Sequence, residues 1–99
     1  MTRREAREQA FILIFEKSFN PESGIDEILD LARELELIDN DEFLEKLVRK
    51  TCEMQQEIDE HISSNARGWK INRIAKVPLA IIRLALAEIL YFEDVPAGV

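Results

Sequence analysis

Residues 79–92 read LAIIRLALAEILYF, fourteen positions of which only Arg83 and Glu88 are charged. The run does not alternate apolar with polar residues, so it does not read as a half-buried strand. Pro78, just ahead of it, suits the first turn of a helix, where a missing N–H costs nothing. A helix that is apolar nearly all round needs neighbours on several sides. The segment is therefore expected to be the apolar, central fifth helix of an all-α bundle, running to about Phe92. Fourteen residues are short of the ~20 that cross a bilayer, so no membrane span is expected.

Apolar residues recur at helical spacing through most of the remaining chain. A first helix is predicted from near Arg3 to about Ser18, opened by the T-x-x-E capping box of Thr2 and Glu5. NPESG at 20–24 breaks the pattern, and a second helix is predicted from about Gly24 to Leu37, with Ile25, Ile28, Leu29, Ala32 and Leu35 inward. DND at 39–41 supplies the cap for a long third helix reaching about Ile62. Its predicted inward positions are Phe43, Leu44, Leu47, Val48, Met54, Ile58 and Ile62. SSNARG at 63–68 ends it, and a short helical piece over about Ile71–Lys76 leads into the fifth helix.

The 99 residues are expected to form one domain. With 46% apolar residues, three Gly and three Pro, the composition excludes a disordered or low-complexity chain. A single cysteine, Cys52, excludes an internal disulfide, and the apolar run AFILIF is too short for a signal peptide. A cytoplasmic protein is expected.

Charge is distributed unevenly. The chain carries 20 Asp and Glu against 13 Lys and Arg, formally −7, yet three of its first seven residues are Arg3, Arg4 and Arg7. Residues 8–64 hold sixteen acids and five bases, whereas residues 65–83 hold Arg67, Lys70, Arg73, Lys76 and Arg83 with no acid. On a helical wheel the three N-terminal arginines fall within about 100°, and Phe11 shares that arc. They should therefore overhang the bundle, because unpaired buried arginines are costly. Positive charge in a first helical turn also opposes the macrodipole by about 0.3 to 1 kcal/mol per residue. Two readings of these arginines stand: solvated helix-end charges facing the acidic body, or a phosphate-binding edge on a body that repels polyanions elsewhere. The segregation of charge favours the second.

Other constellations read as structure. Phe11, Phe15 and Phe19 form an i, i+4, i+8 stripe; Phe11 and Phe15 suit core packing, with base stacking as the alternative, while Phe19 lies beyond the expected helix end. Glu53, Glu57 and His61 have a spacing that could ligate a metal, but one histidine without matching ligands on other helices reads as a solvated acidic face. Arg83 reads as a core arginine awaiting a carboxylate from another helix, with partner binding as the alternative. Cys52 reads as a helix-surface or packing thiol rather than a nucleophile, since nothing in the sequence supplies a base for it. No Gly-rich phosphate loop, G-x-S-x-G or paired-Cys motif is present, so neither an enzyme nor a cofactor site is expected.

Three stretches together resemble the NusB family of bacterial transcription antitermination factors. They are R-R-x-A-R-E-x-A (Arg3, Arg4, Ala6, Arg7, Glu8, Ala10), then Trp69 with Arg73 and Ile74, and then Ile81, Ile82, Arg83, Leu84, Ala85 and Glu88 in the core helix, with Val95 and Pro96 in the turn that follows. The resemblance covers the whole chain. It implies an all-helical RNA-binding protein that acts with NusE, a small-subunit ribosomal protein, on boxA RNA. There it helps the RNA polymerase antitermination complex resist termination, notably in ribosomal RNA synthesis. Carried over by position, the family's RNA contact points to Arg3, Arg4 and Arg7.

Phe15 stands where the family often has Tyr, and Ala87 where it often has an aromatic residue. The family's I-N-E-A helix and F-V-N-G segment do not follow Val99. The resemblance thus implies a bundle lacking C-terminal helices, with an uncovered flank on the fifth helix and a tendency to self-associate or swap. Two further readings are a NusB-like accessory domain of an RNA cytosine methyltransferase and a helical fragment that binds nothing specific.

Overall fold

The computed structural model describes residues 2–65 and 70–92. Within them the chain forms α1 (Arg3–Phe19), α2 (Ile25–Glu34), α3 (Glu42–Glu53), α4 (Gln55–Asn65), a 3-10 turn (Ile71–Arg73) and α5 (Lys76–Tyr91), and no strand. Arg67, Trp69, Val95 and Pro96, all singled out above, lie outside the described residues.

The predicted caps hold. Thr2 Oγ1 accepts from the Glu5 N–H at 3.1 Å and starts α1, and Asp41 Oδ1 accepts from the Leu44 N–H at 2.8 Å and starts α3. At the far end of α1, Lys17 Nζ donates to the Pro21 carbonyl at 2.7 Å and to that of Ser23, tying the NPESG loop to the helix it follows.

Three elements depart from expectation, the short piece expected over about Ile71–Lys76 being a 3-10 turn of Ile71–Arg73 with Lys76 already in α5. α2 ends at Glu34, and Leu35, predicted inward, is 58% exposed. The chain turns there through Glu36, whose φ of 55° is in the left-handed region. The Leu37 N–H reaches the Ala32 carbonyl at 2.8 Å and the Glu36 N–H the Arg33 carbonyl at 3.0 Å. This pair of bonds is the Schellman stop, formed here without the usual glycine.

The predicted long third helix is two helices, broken at Met54 (φ −101°, ψ 15°). No Gly or Pro marks the break. Three residues earlier, the buried Thr51 hydroxyl donates to the Leu47 carbonyl at 2.7 Å, a back-bond of the kind that bends helices.

α1 and α5 pack against each other in opposite directions: Arg7 meets Glu88 near the start of α1, and Lys76 reaches the Ser18 carbonyl near its end. The buried stripe of α1 is Ala6, Ala10, Leu13 and Ile14. Counting 100° per residue, that stripe is rotated by roughly 85° from the arc of the arginines and Phe11. The two alanines let neighbouring helices approach closely, and Phe11 and Phe15 are left half-buried at the margin. α5 packs on α1, α3 and α4, burying Leu79, Ala80, Arg83, Leu84, Ala87 and Glu88. It is central on that side only, because Ile81 is 54% and Ile89 67% exposed on its outer flank.

The two buried charged residues of α5, Arg83 and Glu88, meet oppositely charged partners. Arg83 makes two 2.9 Å hydrogen bonds to the Asp59 carboxylate on α4, the carboxylate partner that its place in an apolar helix required.

Candidate nucleic-acid interface

The start of α1 lies beside the start of α3 and the end of α5, so the three N-terminal arginines meet different surroundings. Arg4 projects into solvent, its side chain 88% exposed, with Glu8 3.4 Å away. An exposed pair of that kind contributes at most about 0.5 kcal/mol and exchanges readily for another anion. Arg3 lies over the Phe43 ring, its Cζ 3.9 Å from the ring centroid.

Arg7 departs from the expected overhang. Its Nε and Nη2 each donate to a Glu88 carboxylate oxygen at 2.7 Å, and the Glu88 side chain is only 9% exposed. The hydrogen bond to Glu88 pushes the Arg7 guanidinium above its ordinary value, against the opposing effect of burial. Arg7 thus neutralises a buried carboxylate and locks α1 onto α5, while about half of its side chain remains at the surface.

Sequence reasoning missed Glu88 as this partner, although the signal was available. A carboxylate in an apolar helix, five residues from Arg83 and so on another face, needs a cation of its own. Phe43 was read only as a core position. Nothing in the sequence announced that Arg3 would lie on it.

A cleft of about 510 Å³ opens between the starts of α1 and α3, with Arg3, Asp41, Glu42, Phe43, Lys46 and Phe92 among its lining residues. Its walls are fastened together. Gln9 Nε2 donates to Asp39 Oδ2 at 3.1 Å and the Asp39 N–H donates to Gln9 Oε1 at 2.9 Å, holding the loop that leads into α3 against α1. On the other side of Arg7 an apolar groove of about 580 Å³ runs along α1 and α5, past Phe11, Ile81, Leu84 and Ile89.

The second basic block sits elsewhere. Lys70, Arg73 and Lys76 are exposed, and Lys76 lies 5.0 Å from the Phe19 ring at the far end of α1. Arg3 and Ser18 are fifteen residues apart, or about 22 Å along the helix axis. The basic blocks therefore mark two separate edges, and Arg83 belongs to neither, being buried on Asp59.

The remaining candidates do not assemble a reactive centre. Glu53, Glu57 and His61 are exposed, and among the described residues no group of three His, Cys, Asp or Glu is placed to hold a metal. Cys52 is half-buried, and burial pushes its thiol up, against smaller opposite effects of Lys17 and Arg83. That direction disfavours the nucleophilic thiolate. Among the described residues no helix is long and apolar enough to cross a membrane.

The NusB family model matches residues 4–99. The chain belongs to the NusB family. It is 42% identical over 103 residues to the transcription antitermination protein NusB of Natranaerobius thermophilus, across 100% of this chain and 74% of that protein. The NusB of Oceanobacillus iheyensis is 38% identical, with 100% of this chain and 76% of that protein aligned. The NusB of Listeria monocytogenes serotype 4a is 40% identical over 97% and 72%. Among solved structures, a chain in the crystal structure of a plectonemic RNA supercoil superposes with a TM-score of 0.81 at 27% identity, covering 93% of this chain and 68% of that one. The relatives are named as transcription antitermination proteins, a non-enzymatic class. Within this NusB-family fold, the core-helix motif quoted first is α5, and the arginine-rich motif is the opening of α1.

Proposed function

We propose that this NusB-family chain is a cytoplasmic RNA-binding factor that pairs with NusE on boxA RNA. In that role it supports ribosomal RNA transcription within the RNA polymerase antitermination complex. Arg3, Arg4 and Arg7 form its RNA-binding edge. The observation that carries this reading is the exposed cationic start of α1 on an otherwise acidic body. The orphan N–H groups of a helix start add positive potential at the same place, so the dipole that opposes the arginines reinforces them toward a phosphate. The naming of the relatives as transcription antitermination proteins, and the RNA in the crystal of the structural neighbour, support it further.

The three arginines divide the work. Arg4 exchanges an exposed carboxylate for a phosphate at little cost, and Arg3 offers a guanidinium already held in place. Arg7 is committed to Glu88 and acts chiefly by fixing the direction of α1.

The test is a salt titration of binding to boxA-like single-stranded RNA with NusE present, followed by fluorescence anisotropy. Replacing three freely acting arginines would lower the log-log salt slope by about 2 at ~0.7 per phosphate contact. With Arg7 held by Glu88, R3A/R4A accounts for about 1.4 of that. A slope unchanged in R3A/R4A removes this edge from the interface.

A further inference from the structure

Arg3, Phe43 and Phe92 form a layered arrangement at the mouth of the cleft between α1 and α3. The Arg3 Cζ lies 3.9 Å from the Phe43 ring centroid, and Phe92 meets the same ring edge-on with centroids 5.6 Å apart. Phe43 is half-buried at the second position of α3, behind the Asp41 cap, and the Gln9 and Asp39 clamp fixes that helix start against α1.

The charges in the cleft decide what it can take. Arg3 and Lys46 face Asp41 and Glu42, and Lys46 Nζ is already 3.0 Å from Glu42. With Lys46 paired to Glu42 and Asp41 beside it, the floor of the cleft is a poor receptor for phosphate, whereas Arg3, exposed at its mouth, offers a charge to a phosphate and a plane to a base. An aromatic wall, a guanidinium plane and carboxylate acceptors make a good receptor for a flat heterocycle with N–H donors on its edge. Unstacked bases of single-stranded RNA stack on aromatic rings and on Arg guanidinium planes in this way.

We propose that the Arg3 and Phe43 pair is a base-stacking platform. It takes one nucleobase of a single-stranded RNA into the cleft, with the base edge toward Asp41 and Glu42, while Arg4 holds the adjoining phosphate. This rests on the RNA-binding reading above and adds a residue, Phe43, that carries no charge. Phosphate contact and base stacking thereby become separable: the first sets the salt slope, the second sets affinity at constant slope.

The experiment uses eight-nucleotide single-stranded RNAs, each carrying 2-aminopurine at a different position, with the full chain and NusE. One position is expected to be quenched on binding. F43L keeps the apolar bulk but removes the ring. It should lose that quench and bind about tenfold more weakly, with the salt slope unchanged, whereas F43W should retain both quench and affinity. R3A should lose the quench and also lower the slope by about 0.7.

Should F43L fail to fold by circular dichroism, the wild-type chain answers the question with an abasic nucleotide at the quenched position. That substitution keeps every phosphate and should cost the same tenfold. If the slope depends on Arg3 and Arg4 while F43L and the abasic RNA bind like the originals, the platform is overturned and the RNA-binding reading stands. If no oligonucleotide binds the folded wild-type chain, both fall.

Discussion

Asp59 and Arg83 are bonded to each other but are not equally dispensable, because the Arg83 side chain is 10% exposed and that of Asp59 22%. D59A would leave a guanidinium stranded in the bundle, and loss of one partner of a buried pair costs about 3 to 5 kcal/mol. R83M fills the same space with an apolar chain and leaves a carboxylate that water can reach, so its cost should stay within about 1 kcal/mol. Urea denaturation midpoints check this, and equal losses in the two variants would refute the asymmetry. The need for such a partner was legible in the sequence, because a cation inside LAIIRLALAEIL has few alternatives to a carboxylate. Which carboxylate would answer it was not legible, since that depends on how α4 turns after the break at Met54. Arg7 and Glu88 were harder still, being 81 residues apart in the chain.

The starts of α1 and α3 were read correctly, whereas the start of α4 and the stop of α2 were not, for a physical reason. A start is announced by a side chain that bonds the backbone, as Thr2 and Asp41 do. A stop is announced mainly by glycine, and the chain turns out of α2 through Glu36 without one. A non-glycine residue at φ of 55° pays a steric penalty that glycine avoids. E36G should therefore raise stability by about 0.5 to 1 kcal/mol, read as a higher thermal midpoint. A lower midpoint would mean that the Glu36 side chain supplies a contact outweighing the strain. The break at Met54 was illegible for a similar reason, since no local sequence signal separates a bent helix from two short ones. The position of the core stripe on α1 was misjudged because alanines count for little in a hydrophobic pattern, yet they are where close packing occurs.

At the scale of the whole molecule, the expected all-α architecture around an apolar fifth helix is what the fold contains, since the longest apolar run dictated it. What the sequence could not supply is which side of that helix is occupied. The outer flank carries Ile81 and Ile89, and with Val77, 46% exposed, it forms an apolar surface of the kind that drives association. The chain should bind a hydrophobic dye and show a mass that rises with concentration in sedimentation, and I81K/I89K should suppress both. A concentration-independent monomer that binds no dye would contradict this. The separation of the two basic edges was equally invisible before the antiparallel packing of α1 and α5 was known.

The pairing of Arg7 with Glu88 has a consequence for biosynthesis. At roughly 5 to 20 residues per second, the ribosome delivers position 88 about 4 to 16 s after position 7. Until then the first helix lacks the anion that anchors it, so its arginine-bearing tip emerges into the translating cell unclamped, and the lock closes only once α5 has been made.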